Sequence, residues 1–208
     1  RAAIAGGGRE GDEKVRCLNL AYMNALITCE NGRSVISSCK AEETYPKTTF
    51  GNDMKAVASM IAAGLGNRVY SVEIGGFDTH SGHVRRHSEL IGEVSSAMAA
   101  LIKDLQAKKL SDKVIVLPFS EFGRRPYENG TAGTDHGTNS TFFVAGTKIK
   151  GGIYGKHPVI PKDRRSDIPF TRTSTDFRQI YATILEKWLG IPGKTVLRTN
   201  YDTLGFLA

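Results

Sequence analysis

The chain lacks the features that mark several common classes of protein. Its 208 residues contain no apolar run long enough to cross a bilayer, no internal repeat and no low-complexity segment. Three cysteines occur, Cys17, Cys29 and Cys39, and none has the CxxC spacing of a zinc–thiolate site. They could be small buried thiols, or two of them could form one disulfide in an oxidising compartment.

The charge balance is basic but lacks the pattern of a nucleic-acid-binding surface. Lysine and arginine outnumber aspartate and glutamate by 28 to 21, which gives a formal net charge of +7. The excess is scattered in small clusters such as Arg85-Arg86 and Lys162 to Arg165, with no recognisable motif. We therefore expect no nucleic-acid partner. The positive charge suits an anionic small-molecule or polymer ester, such as a phosphate or sulfate ester.

Length and composition are those of one ordinary globular domain, with 40% hydrophobic and 24% charged residues. The first residues, Arg1 to Gly8, contain neither an initiator methionine nor a signal-peptide pattern. This start leads us to expect a processed or truncated product.

Hydrophobic periodicity predicts helices and strands in alternation. Helical spacing is found over residues 12–29, from Asn52 to Leu65, from Val84 to Leu105, and in a last helix capped by Ser174 or Thr175. Short apolar or β-branched runs predict strands at Arg68–Ile74, Lys113–Phe119 and Thr141–Ala145. The second of these has the near-continuous apolar character of a central parallel strand. The order predicts an α/β fold with a doubly wound, mostly parallel sheet.

The first strand candidate leads into Gly75-Gly76-Phe77-Asp78-Thr79-His80. A carboxylate and an imidazole two residues apart, behind flexible glycines, can face one divalent ion at the end of a strand. Alternatively, Asp78 caps the next helix and His80 is a surface residue. His83 and His87 follow four residues apart, a spacing that allows either a metal pair or a solvated helix face.

Two further groups follow the later strands. Glu121 comes directly after the apolar strand and could bind a metal or pair with a neighbouring arginine. Arg124 could clamp an anionic oxygen or form a surface salt bridge. Asp135 and His136 lie between Gly133 and Gly137, where glycine lets the backbone approach a ligand closely.

Residues 52 to 207 resemble the C-terminal part of the bacterial, sulfatase-like domain of unknown function 1501 family. The matching segments are GGFDTH (75–80), SEFGRR (120–125), ENG (128–130), GTDHG (133–137), GGIYG (151–155) and TDFRQIYATILEKWLG (175–190). This family is similar to the alkaline phosphatase superfamily of sulfatases, phosphatases and phosphate mutases.

The resemblance implies a single α/β domain over residues 1–208, with a variable helical or loop region at 1–50 and a sulfatase-like core at 51–208. The fold would be alkaline-phosphatase-like and would lack the N-terminal strand or strands. The implied ligands of a divalent ion (zinc, manganese, calcium or magnesium) are Asp78, His80, His83, Glu121, Asp135 and His136. Arg124 would be catalytic, and Asp176 would cap the final helix.

Two departures from the superfamily pattern leave two functions open. Phe122 stands where the superfamily has a histidine, and residues 1–60 show no strand that carries a nucleophile. The first function is a metal-dependent hydrolase of phosphate or sulfate esters, possessing part of the usual site. The alternative is a non-catalytic structural or interaction protein of the cell envelope. The resemblance also implies export to the periplasm or cell exterior, and it allows a homo-oligomer or a partner subunit.

Overall fold

A computed structural model describes residues 40–157 and 175–207, together with isolated positions between residues 22 and 37. The helix predicted over residues 12–29 lies outside the described residues, apart from Tyr22 and Met23, which are helical. The basic cluster from Lys162 to Arg165 also lies outside them. Among the helices of the described residues, none is both long and apolar enough to cross a membrane.

Two long helices confirm the periodicity of the sequence. Helix α1 spans Thr49–Ala62 and begins with Thr48, whose hydroxyl accepts a hydrogen bond of 3.0 Å from the Gly51 amide. Helix α2 spans His83–Ala107 and is followed by a 3₁₀ turn at Ser111–Lys113. No side chain caps α2, because the amides of Gly82 and His83 instead donate to the carbonyls of Thr131 and Ala132 at 3.4 and 2.9 Å.

The C-terminal part of the chain forms a second helical unit. Helix α3 spans Phe177–Thr183 and continues as a π-helical turn at Ile184–Trp188, and helix α4 spans Gly193–Leu197. The predicted cap at Ser174 or Thr175 is wrong, since Asp176 is the N-cap. Asp176 and Gln179 form a reciprocal capping box, which confirms that Asp176 caps the helix.

Among the described residues, two hydrophobic clusters form the core. The first joins α1 to α2 through buried residues that include Phe50, Met54, Leu101 and Leu105. The second lies around Ile180, Phe206 and Leu207.

The apolar run predicted as a central strand lies between these clusters. Val114 and Val116 pack against the first cluster, whereas Ile115 and Leu117 pack against the second. Alternate residues facing opposite sides are the period-2 pattern of an extended segment covered on both faces.

Strand pairing among the described residues is limited. Strand β1, Gly123–Arg124, pairs antiparallel with strand β2, His136–Gly137, and an antiparallel bridge joins Val116 to Ala145. Residues 67–76 make no backbone–backbone hydrogen bond to another described residue. The doubly wound parallel sheet therefore stays a prediction.

A buried carboxylate fixes the segment before α1 onto α2. Asp104 is 1% exposed and accepts hydrogen bonds of 3.0 Å from the Glu42 amide and from the Tyr45 hydroxyl, with Lys108 as its ion-pair partner. Burial acts to raise the pKa of Asp104, but these hydrogen bonds and the charge of Lys108 outweigh it and hold the pKa below its ordinary value.

We expect Asp104→Asn to lower the free energy of unfolding by about 2–4 kcal/mol, because a half-buried ammonium group would lose its carboxylate. The deficit should shrink as the pH falls below about 4, since a carboxyl whose folded-state pKa is depressed loses its contribution as it is protonated. Denaturant titrations at several pH values measure both effects. Asp112→Asn, at an exposed position, is the matched control. Equal stability of the two variants would contradict this role for Asp104.

Candidate metal centre

Three side chains from two separate parts of the chain meet at one point. Oδ1 of Asp78 lies 2.6 Å from Nε2 of His136 and 3.0 Å from Nε2 of His80. One ligand atom from each of these residues lies within 4.8 Å of the other two, so the three form a group that could hold a metal ion. Asp78 and His80 lie two residues apart in the loop that precedes α2, and His136 belongs to β2.

Asp135 lies behind this group. Its Oδ1 is 3.3 Å from Nδ1 of His80, while Nε2 of the same ring faces Asp78. A carboxylate that holds the far nitrogen of a histidine fixes the ring orientation and directs the other nitrogen to a metal. The sequence predicted Asp135 as a ligand, and the structure places it at the outer nitrogen of His80.

A neutral His80 ring would have too few N–H groups to donate to both of its carboxylate partners. A neutral imidazole carries one N–H, and ionised carboxylates can only accept. Both ring nitrogens of His80 nevertheless face a carboxylate oxygen. The arrangement is satisfied by an imidazolium or by a cation between Nε2 and Asp78, and a divalent ion meets this requirement.

The two carboxylates of the cluster are stabilised as anions. The hydrogen bond from His136 is the main cause that lowers the pKa of Asp78, and the nearby Arg124 guanidinium lowers it further. Hydrogen bonds from Asn129 and then His80 lower the pKa of Asp135. Both groups therefore stay ionised, as metal binding requires.

Asn129 organises the loop that carries Asp135, and in the sequence it was noted only as part of the matching segment ENG (128–130). Its side-chain amide donates to the His80 carbonyl at 3.0 Å and to Oδ1 of Asp135 at 3.2 Å. Its carbonyl oxygen accepts from the amides of Thr131 and Gly133 at 3.0 Å each. The sequence signal was an Asn-Gly pair, which predicts a turn but not contacts with a residue 49 positions away.

Gly133 permits a close backbone approach between the two loops of the site. A Cβ atom at this position would lie 2.1 Å from the carbonyl carbon of His80. The loop reaches this contact through a hydrogen bond of 3.2 Å from the Thr134 amide to the Thr79 carbonyl. Only glycine fits here without displacing the segment that bears His80.

Arg124 joins the two halves of the site. Nη1 donates to the Thr134 carbonyl at 2.6 Å, and Nη2 donates to the Phe77 carbonyl and lies 3.3 Å from Oδ1 of Asp78. The guanidinium side chain is 16% exposed. These hydrogen bonds hold the two halves of the site together, and the role of Arg124 as an anion clamp stays a prediction.

Phe122 supports His136 from one side. The two rings stack at a centroid distance of 4.1 Å and an angle of 11°, and the Arg124 guanidinium lies 5.0 Å from the centre of the phenyl ring. Phe122 therefore helps to orient a metal-ligand candidate.

The remaining candidates lie elsewhere. His83 contacts the hydroxyl of Thr79 through Nδ1, and its ring lies 4.7 Å from the ring of His87 at an angle of 32°, outside the Asp78–His80–His136 group. Burial, followed by the charges of His87 and Arg124, lowers the pKa of His83. Glu121 is exposed and is also outside that group.

The site is thus a histidine–carboxylate cluster of the class that can hold a divalent ion, at the junction of a loop and a short β-ribbon. Residues 29–200 match the family described as "Protein of unknown function (DUF1501)". The match covers well over half of the sequence, and the chain belongs to this family. No curated protein and no solved structure matches the sequence.

We expect Gly133→Ala to destabilise the protein by about 1–3 kcal/mol, because its methyl group would overlap the His80 backbone. Gly130→Ala is the matched control, since a Cβ there meets no atom within 4 Å. Denaturant titration measures the unfolding free energies, and NMR of the His80 ring reports whether its contact with Asp135 survives. If Gly133→Ala left the free energy of unfolding unchanged, the loop would not approach His80 as described.

Proposed function

We propose that this protein is a metal-dependent hydrolase of phosphate or sulfate esters, related to the alkaline phosphatase superfamily. The observation that carries the proposal is the convergence of Asp78, His80 and His136, with Asp135 behind His80. The doubly wound sheet, expected from the order of hydrophobic segments, and export to the periplasm or cell exterior, implied by the family resemblance, belong to the same proposal.

The donor set favours particular metals. Two imidazole nitrogens and one carboxylate suit zinc or manganese better than calcium, which prefers six to eight oxygen ligands. The side chains of Asp78, His80 and His136 are 57%, 49% and 49% exposed. This exposure leaves room for a substrate, as three protein ligands with an open position are typical of catalytic zinc sites.

Each neighbouring residue has a separate task in such a site. A bound divalent ion would act as a Lewis acid on the ester oxygen. Asp135 and Phe122 hold the two imidazole rings in place. The positive charge of Arg124, beside Asp78, would attract the anionic ester and offset negative charge that develops on it.

One observation favours the alternative, a non-catalytic structural or interaction protein of the cell envelope. Thr79, the hydroxyl-bearing residue between Asp78 and His80, is 5% exposed and bonded to His83. A substrate could not reach this hydroxyl without movement of the loop, so Thr79 is poorly placed as a nucleophile. Metal binding without turnover would fit this alternative.

We expect protein purified without chelator to bind about one zinc or manganese ion at the Asp78 site. Asp78→Asn or His136→Ala should reduce metal affinity by more than 100-fold, whereas Asp135→Asn should cost about 10–100-fold as an outer-shell change. Affinity should also fall on acidification, because imidazole binds metal only when deprotonated. Calorimetric titration with zinc measures these changes.

The controls for metal binding are Asp112→Asn and His157→Ala, which remove the same chemical groups at exposed positions. Both should retain wild-type affinity. Unchanged zinc affinity in Asp78→Asn and His136→Ala would contradict the assignment of the metal site to these residues.

Catalysis is tested separately with a panel of aryl phosphates and aryl sulfates. We expect metal-dependent turnover that Asp78→Asn abolishes and that Arg124→Gln lowers by about 10–1000-fold, in line with the loss of one charge-stabilising group. Arg85→Gln is the control, because Arg85 pairs with Glu89 on the exposed face of α2. Full metal occupancy with no turnover of any ester would favour the non-catalytic alternative.

A further inference from the structure

A polar cavity lies between residues 40–47 and the beginning of α1. Its volume is about 580 Å³, and it shares no lining residue with the Asp78–His80–His136 group. The polar residues that line it include Lys40, Glu43, Thr44, Lys47, Asn52 and Lys55.

The charge of this cavity is unbalanced. Three lysines line it against one glutamate. None of the three lysines forms an ion pair with a carboxylate of the described residues. All three are exposed residues, and positively charged side chains that line one cavity attract an anion, to which the N-terminal end of α1 adds a smaller positive potential.

The walls of the cavity are held by contacts with the core. The Asp104 carboxylate anchors one wall by accepting hydrogen bonds from the Glu42 amide and the Tyr45 hydroxyl, at 3.0 Å each. The next residues lie against the first turn of α1, where a Cβ on Gly51 would be 2.2 Å from the Pro46 carbonyl oxygen. A site on such anchored elements loses little conformational entropy when a ligand binds.

We infer that this cavity is a binding site for a small phosphorylated anion with at least two negative charges. Three lysines against one carboxylate leave an excess of two positive charges, which matches a phosphate monoester or a diphosphate. Lysine binds phosphate as a compact point charge. The volume lies within the range of about 300–1,000 Å³ that is usual for small-ligand sites. The Thr44 hydroxyl and the Asn52 amide can hydrogen-bond the rest of the ligand.

The test is calorimetric titration of the full chain with inorganic pyrophosphate at constant ionic strength. It is carried out in the Asp78→Asn/His136→Ala background, so that chelation at the metal centre does not contribute. We expect saturable binding that Lys47→Gln/Lys55→Gln weakens at least tenfold. The control, Lys103→Gln/Lys113→Gln, removes the same charge from exposed positions elsewhere and should change the affinity less than twofold.

Three results would overturn the inference. They are the absence of saturable binding in the Asp78→Asn/His136→Ala background, equal weakening by the two lysine pairs, and binding whose amide NMR shifts exclude Asn52 and Lys55. Circular dichroism checks that each variant is folded, and the NMR shifts locate the ligand even where a substitution alters stability. Because the metal centre is disabled throughout, the outcome is independent of the proposed hydrolase activity.

Discussion

The site depends on the docking of the loop 129–135 against the turn 78–83. Asn129 holds the His80 carbonyl and the Asp135 carboxylate together, at 3.0 and 3.2 Å. Gly133 lets the two backbones touch, and the carbonyls of Thr131 and Ala132 accept the first amides of α2. Without this docking the metal-ligand candidates would belong to separate loops, and the start of α2 would lose its hydrogen-bond acceptors.

Charge and geometry reinforce each other at Asp78. A single oxygen of this carboxylate lies within 3.3 Å of Nε2 of His136, Nε2 of His80 and Nη2 of Arg124. The carboxylate stays ionised because these groups stabilise its anion. Since Asp135 already occupies the other nitrogen of His80, a cation between Nε2 and Asp78 satisfies both partners. The cluster could therefore hold an ion, and its exposure would let an ion enter.

Sequence reasoning succeeded where the signal was local. Hydrophobic spacing predicted α1 and α2 within a few residues, since each buries one face against the other. The expectation that ligands gather at strand ends led to Asp78, His80 and His136, which the structure brings together, and also to Glu121, which lies outside their group. It failed at Ser174 and Thr175, because Gln179 forms a capping box with Asp176. It also missed the role of Asn129, whose hydrogen bonds join two loops and therefore produce no periodic pattern in the sequence.

X-ray absorption at the zinc edge of zinc-loaded protein directly tests whether Asp78, His80 and His136 hold the metal. Zinc held by Asp78, His80 and His136 should show two imidazole nitrogens at about 2.0–2.1 Å and a carboxylate oxygen among its ligands. In His136→Ala, one of the two imidazole ligands should disappear from the spectrum. A spectrum without imidazole scattering, or one unchanged in His136→Ala, would contradict the assignment of the metal to Asp78, His80 and His136.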